Sequence, residues 1–314
     1  MKKIVFTLLL TLFAVVIRAQ ESQTEYNFLR LPVSAHAAAL GGENITIIED
    51  DPSLMFSNPA LASSVSDKTV GLSYMNYMRG AHYMGASYTK ALGEKATLAG
   101  GVRYMNYGKM KEVDANNVQI GTFNASEIAV EGIFSYELAR NLVGGITAKF
   151  ITSYIGSYNS MAVGVDLGLN WYEPERQWSV SLVAKNLGGQ IKAYEEEYGK
   201  MPIDVQVGVS KTFAALPVRV SATLVDLTHY DYRFINHLNL GAEVLLSESI
   251  WVGGGYNFRK ADEMTIGKDE NASAHGAGFS VGAGINLEQF KLNLAYGKYH
   301  AASNSILVNL AYSF

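Results

Sequence analysis

The chain has 314 residues, of which 17% are charged, against a usual level of about 25%. The formal net charge of −4 leaves no basic footprint for nucleic acid, and the absence of cysteine excludes disulfides and thiolate metal sites. Glycine (30) and tyrosine (19) take the place of charge, glycine suiting crowded backbone and tyrosine the boundary between hydrocarbon and headgroup.

Residues 1–19 have the organisation of a secretory signal peptide. Lys2 and Lys3 lead, Ile4 to Ile17 is apolar, and Ala19 is a small residue suited to the position before cleavage. The apolar run is fourteen residues long, short of the roughly 20 that a spanning helix needs. No later stretch is continuously apolar for that length. A mature chain that crosses a membrane must therefore do so with strands.

Residues 20–67 form a segment of different character, rich in alanine and without long alternation. Glu49-Asp50-Asp51-Pro52 and Asn58-Pro59-Ala60 carry turn and helix-start chemistry: asparagine caps, and proline suits the first helical position. From residue 68 onward the period changes to two, the geometry of β-strands.

Fourteen alternating segments are expected, near 68–79, 81–90, 95–107, 125–138, 141–155, 159–172, 176–187, 203–213, 216–226, 235–246, 249–258, 275–287, 289–298 and 302–314. One face of each is apolar with aromatic ends, and the other is small, polar or charged. That is the pattern of a transmembrane antiparallel β-barrel with a polar interior, and an even strand number suits a bacterial single-chain barrel. Tight connections alternate with a set that includes the longer 108–124, 188–202, 227–234 and 259–274. Short turns on one side and long loops on the other put both ends of the barrel on the periplasmic side of an outer membrane. Tyr312 and the terminal Phe314 end the last strand and are expected to serve as the barrel assembly signal, with strand fourteen closing beside strand one.

The run Leu31-Pro32-Val33-Ser34-Ala35-His36-Ala37-Ala38-Ala39-Leu40-Gly41-Gly42, followed by Asp51-Pro52-Ser53 and Asn58-Pro59-Ala60, resembles the amino-terminal region of the PorV/PorQ barrels. These belong to the type IX secretion system of Bacteroidetes, within the wider group of FadL-like barrels. The PorQ branch is nearer in length and in the form of this opening. The resemblance implies an all-β, fourteen-stranded barrel of a Gram-negative outer membrane, with residues 20–67 as a hatch entering or capping the lumen of the barrel, 68–314. It implies a role in export or surface attachment of cargo. Its implied partners are outer-membrane lipid, other secretion-system envelope proteins and cargo with C-terminal sorting domains; no cofactor is implied. Carried onto this chain, the hatch motif comprises Pro32, Ser34, His36, Gly41, Gly42, Asp51, Pro52, Asn58, Pro59 and Ala60. His36 is a departure, since related chains often carry arginine there.

Arg103, Lys149, Asp166, Lys185, Arg219 and Glu243 fall on the polar face of their strands. Such charges must be hydrated or paired, because lipid penalises Arg or Lys at the midplane by roughly 2–4 kcal/mol. They are candidates for lining a pore or holding the hatch. Glu49-Asp50-Asp51 lacks the full spacing of a calcium loop. Glu195-Glu196-Glu197 and the run 259–270 read as solvated external loop, with partner contacts as the functional alternative. Gly41-Gly42 lacks the spacing of a dinucleotide site.

Catalysis is not supported. The six histidines are scattered, and Gly278-Phe279-Ser280-Val281-Gly282, although it matches GxSxG, sits inside an alternating strand rather than at a strand–turn–helix corner. A FadL-like channel for hydrophobic small molecules and a purely structural envelope scaffold are the alternative readings.

Overall fold

The computed structural model describes residues 24–78, 80–213, 215–264, 276–300 and 303–314. The expected signal peptide therefore lies outside the described residues, as does 265–274 of one expected external loop. Fourteen antiparallel strands are described: β1 (Thr69–Met78), β2 (Ala81–Leu92), β3 (Ala96–Val113), β4 (Gln119–Ala139), β5 (Leu142–Ile155), β6 (Tyr158–Glu173), β7 (Trp178–Lys192), β8 (Asp204–Phe213), β9 (Val218–Leu224), β10 (Leu238–Leu245), β11 (Ile250–Asn257), β12 (Phe279–Asn286), β13 (Phe290–His300) and β14 (Ser303–Ser313). Each pairs with its neighbours in sequence, and β14 pairs with β1 to close the barrel. The closing register sets Val70 opposite Tyr312 and Asn76 opposite Ile306. Closure removes the exposed edges that an open sheet would present to lipid.

Side chains alternate across the wall as the period of two requires. In β14, Ile306, Leu310 and Tyr312 are exposed on the outer face, while Leu307, Asn309 and Ala311 are buried inside. Leu72, Leu98, Phe134, Trp171, Val252 and Tyr296 extend the outer apolar surface around the barrel. Among the described residues no helix is long and apolar enough to cross a membrane. A contiguous apolar belt on strands is the membrane-facing surface of such a barrel.

Several expected strand ends shift, among them the starts of β10 (238 rather than 235) and β12 (279 rather than 275), and three connections differ in kind. The connection 108–124 is mostly a strand pair, because β3 and β4 pair on past a bulge at Asn106–Lys109, where Gly108 has φ +75°. Its tip is the short turn after Asp114, whose carboxylate accepts from the Asn116 and Val118 amides at 2.8 and 2.9 Å. β7 runs to Lys192, since Gly188 and Gly189 pair with Gly164 and Val163 instead of breaking the strand. The 259–274 connection begins as a short helix, α2 (Phe258–Glu263; α1 is the earlier Ala35–Ala39), which Asn257 caps through the Lys260 amide at 2.9 Å.

Residues 24–66 lie within the barrel. They comprise α1 and the 3₁₀ turns Asn27–Arg30, Pro52–Phe56 and Pro59–Ser64. The apolar core sits between this segment and the inward wall, where Tyr26, Phe28, Met55 and Phe56 pack with Met75, Tyr83, Met105 and Trp251.

Candidate functional site: the hatch and its charged anchors

The Ala35–Ala39 helix starts at Ser34, whose hydroxyl accepts from the Ala37 amide at 3.3 Å. Apart from His36 this helix is all alanine and presents almost no side-chain bulk, and the wall glycines facing it are equally bare. A Cβ on Gly282 would lie 2.6 Å from the Ala39 Cβ, and one on Gly255 would collide with the backbone of Leu40 and Gly41. The chain leaves α1 through Gly41 and Gly42, at φ +99° and +93°, a region that favours glycine. The glycine pair is thus a helix-terminating turn.

Wall side chains satisfy the hatch backbone. Asn309 donates to the Val33 carbonyl at 2.8 Å and accepts from the Ala35 amide. Ser280 accepts from the Gly41 amide at 2.9 Å and donates to the Ala39 carbonyl at 2.8 Å. The serine of the GxSxG match is therefore a hatch anchor, the second residue of β12, just after a turn at Gly278 and with no helix following it. Asn257 donates to the Gly41 carbonyl at 3.1 Å. Pro32 is buried at the start of this stretch.

His36 is fully buried and lies flat on Trp251. Its Nε2 is 2.6 Å from Glu243 and its Nδ1 3.3 Å from Glu49. Arg219 bonds both carboxylates, reaching Glu243 through Nε at 2.5 Å and Glu49 through Nη2. Burial opposes protonation of the imidazole, but Glu243 and Glu49 override it and push the His36 pKa up to about 9. The same pairing with His36 and Arg219 overcomes burial at Glu49 and holds its carboxyl well below the usual range. Two cations against two carboxylates leave the cluster neutral, as a buried site requires. His36, Glu49 and Glu243 could also offer ligand atoms to a metal ion within 4.8 Å of one another, but Arg219 already occupies the carboxylates.

Glu49, Asp50 and Asp51 diverge. Asp50 accepts from the Ser66 amide at 2.7 Å and pairs with Lys291 at 2.5 Å. Asp51 caps the turn that begins with Pro52, accepting from the Ser53 amide at 2.8 Å, and receives Asn293 at 3.2 Å. Asn58 caps the next turn, which begins with Pro59, through the Ala60 amide at 3.0 Å, and its own amide donates to the Ile45 carbonyl at 3.0 Å.

The six inward charges named from sequence all point into the lumen and all are paired. Arg103 bonds Glu131 through Nε at 2.5 Å and reaches the Leu29 carbonyl of the hatch at 3.3 Å. Lys149 pairs with Asp166 at 2.6 Å, wall to wall. Lys185 reaches Glu43 of the hatch at 3.3 Å, and Arg219 and Glu243 form the His36 cluster. Tyr312 and Phe314 lie on the outer face, edge to face at 5.0 Å. Glu195, Glu196 and Glu197 line an open pocket with Tyr158 and Tyr194.

Sequence reasoning missed a further clamp. Asp226, fully buried with φ +51°, receives Arg30 of the hatch at 2.7 and 2.8 Å and also Arg259 of α2. It missed Trp251, Asn293 and Asn309 as well. Inward parity was the only sequence signal available for the last three, because polar inward residues are common in such barrels.

The toluene transporter TodX of Pseudomonas putida is similar in fold, with a TM-score of 0.55 at 13% identity over 90% of this chain and 96% of that one. The toluene transporter TbuX of Ralstonia pickettii gives 0.56 at 13% identity, with the same coverage. A FadL homologue of Pseudomonas aeruginosa gives 0.54 at 10% identity, over 90% of this chain and 98% of that one. No curated protein sequence matches the chain. These likenesses establish a FadL-like barrel and nothing about cargo. Sequence goes further: residues 52–306, from the second hatch turn into the last strand, match the family described as type IX secretion system membrane protein PorP/SprF, and the chain belongs to that family.

Proposed function

We propose that this barrel works in type IX protein secretion as a plugged, non-enzymatic component, PorQ-like in its hatch, supporting export or surface attachment of cargo with C-terminal sorting domains. It does so in the outer membrane of a Gram-negative bacterium with both termini periplasmic, among other envelope proteins of the same system. The observation that carries this reading is the anchoring of the hatch. Buried charges on the wall, Arg219, Glu243 and Lys185, hold hatch residues Glu49, His36 and Glu43, and α1 rests directly on wall glycines. A lumen closed in this way suits docking at its outer connections, the β3–β4 extension over 108–124, the end of β7 with the loop after it over 188–202, and 259–274, better than free diffusion.

The fold shared with toluene transporters favours a second reading, a channel for hydrophobic small molecules. The inward charges argue against it, because an apolar solute gains nothing from a path lined by ion pairs. Deleting the gene separates the two. Loss of cargo from the cell surface with unchanged uptake of long-chain fatty acids is expected. Normal cargo with reduced uptake would establish the channel reading, and no change in either would leave a scaffold.

A further inference from the structure

The outer wall carries a groove that ends in charge. Its floor follows one row of paired positions, Trp178–Lys211–Val220–Ala242–Gly254–Val281 from β7 to β12. Leu240, Tyr256 and Phe279 stand along one side, and the groove holds about 860 Å³, within the roughly 300–1,000 Å³ of small-molecule sites. Ala242 and Gly254 make the floor low where neighbouring outward positions carry valine, leucine or tyrosine.

The row is also oblique, moving away from the rim. Trp178 is the first residue of β7, Ala242 lies three residues from the end of β10, and Val281 five from the end of β12. Four strand spacings of about 4.8 Å separate Lys211 from Val281, roughly 19 Å. Because strands in such barrels tilt by about 35–45°, that run descends from the rim through most of one leaflet of a hydrocarbon core ~30 Å thick.

The rim end is the one polar part. Lys211 lies on the outer face with its Nζ 5.2 Å from the centre of the Trp178 ring, and it donates to the Arg176 carbonyl. Glu173 stands opposite Trp178 on the other side. A lysine and a glutamate thus flank one tryptophan at the level where aromatic rings meet headgroups.

We propose that this groove is a binding site for one bilayer phospholipid with a phosphoethanolamine head. The phosphate sits at Lys211, the ammonium faces Glu173, and an acyl chain lies along Val220, Ala242 and Gly254. Opposite charges on either side of Trp178 match a zwitterion better than a simple anion, and the apolar floor matches a chain better than a folded partner surface, which would need wider complementarity.

The test uses the purified full-length barrel, stripped of lipid in detergent, with 1-palmitoyl-2-oleoyl phosphatidylethanolamine added and retention read by native mass spectrometry. One retained lipid per barrel is expected. Ala242→Leu, which fills the floor, and Lys211→Gln, which removes the phosphate partner, should each cut retention at least fivefold. Ala86→Leu, on the outer face of β2, should not. Heat-modifiability on gels checks that each variant is folded, and Lys211→Gln carries the test if Ala242→Leu fails to fold. Retention unchanged in Lys211→Gln overturns the proposal, as does equal retention of phosphatidylglycerol. A lipid-free dimer broken by Ala242→Leu would also overturn it, by assigning the groove to a second copy of the chain.

Discussion

The imidazole of His36 lies parallel to the indole of Trp251, centroids 3.7 Å apart and planes 6° apart. One ring belongs to the hatch and the other to β11, so this stack joins plug to wall at the place where four charges meet. Trp251 is held in turn by Asn293, which accepts from its Nε1 at 3.0 Å. Position 36, where the family resemblance leads one to expect arginine, keeps its cationic role through a raised pKa, and a flat ring adds the stacking that the site uses.

The charge on His36 makes hatch retention pH-dependent. Its folded pKa is raised to about 9 from an unfolded value near 6.5. The stabilisation is complete below about pH 6.5 and is lost as pH rises through about 9, a total of roughly 3 kcal/mol. The temperature at which the barrel ceases to be heat-modifiable should fall between pH 7 and 9.5. In His36→Gln that slope should be largely gone, with the variant less stable throughout; an identical slope would place the titration elsewhere.

Asp226 is the clamp between hatch and loop helix. Asp226→Asn leaves Arg30 and Arg259 facing a neutral amide, at a cost of about 3 kcal/mol for breaking a buried pair on one side. The expected readouts are faster proteolysis near α2 and greater sensitivity of cells to large antibiotics. Arg233→Ala, which removes the exposed pair with Asp262, should change neither measurably.

Gly145 of β5 has no space for a side chain, because a Cβ there would meet the backbone of Pro59 and Ala60. Gly145→Ala should therefore displace the Asn58–Pro59 turn and destabilise by about 1–3 kcal/mol. Gly132→Ala on the adjacent β4, where nothing lies within 4 Å of the added Cβ, is the matched control. Equal thermal stability of the two variants would show that the turn yields freely.

Phe314 is 75% exposed on the outer face and its amide bonds the Lys68 carbonyl at 3.4 Å, where β14 closes on β1. Its ring contributes little to the folded barrel beyond the edge contact with Tyr312, so Phe314→Ala should act on insertion. Less folded barrel in the outer membrane is expected, with unchanged thermal stability of what does insert. Quantifying the heat-modifiable band in membrane fractions checks this.

The barrel itself was legible because alternation is local. Each strand of a closed antiparallel sheet shows one face to lipid and one to the lumen, so parity along Met161–Trp171 or Ile306–Phe314 states directly which residues face out. Boundaries were less legible where glycine entered: Gly188 and Gly189 read as a break, whereas the wall uses them as paired strand. The extension of β3 and β4 past Gly108 was hidden for the same reason, since a bulge interrupts the period without ending the pairing.

Alternation along the chain specifies the number and parity of the strands and the inward face of Arg103, Lys149, Asp166, Lys185, Arg219 and Glu243. What each charge meets depends on closure of the barrel around the hatch. His36 and Glu243 are 207 positions apart and Arg30 and Asp226 are 196 apart, so no local pattern links them. Once the barrel closes around the hatch, desolvation makes every unpaired charge costly, and the pairs that form are those the curved wall brings within reach.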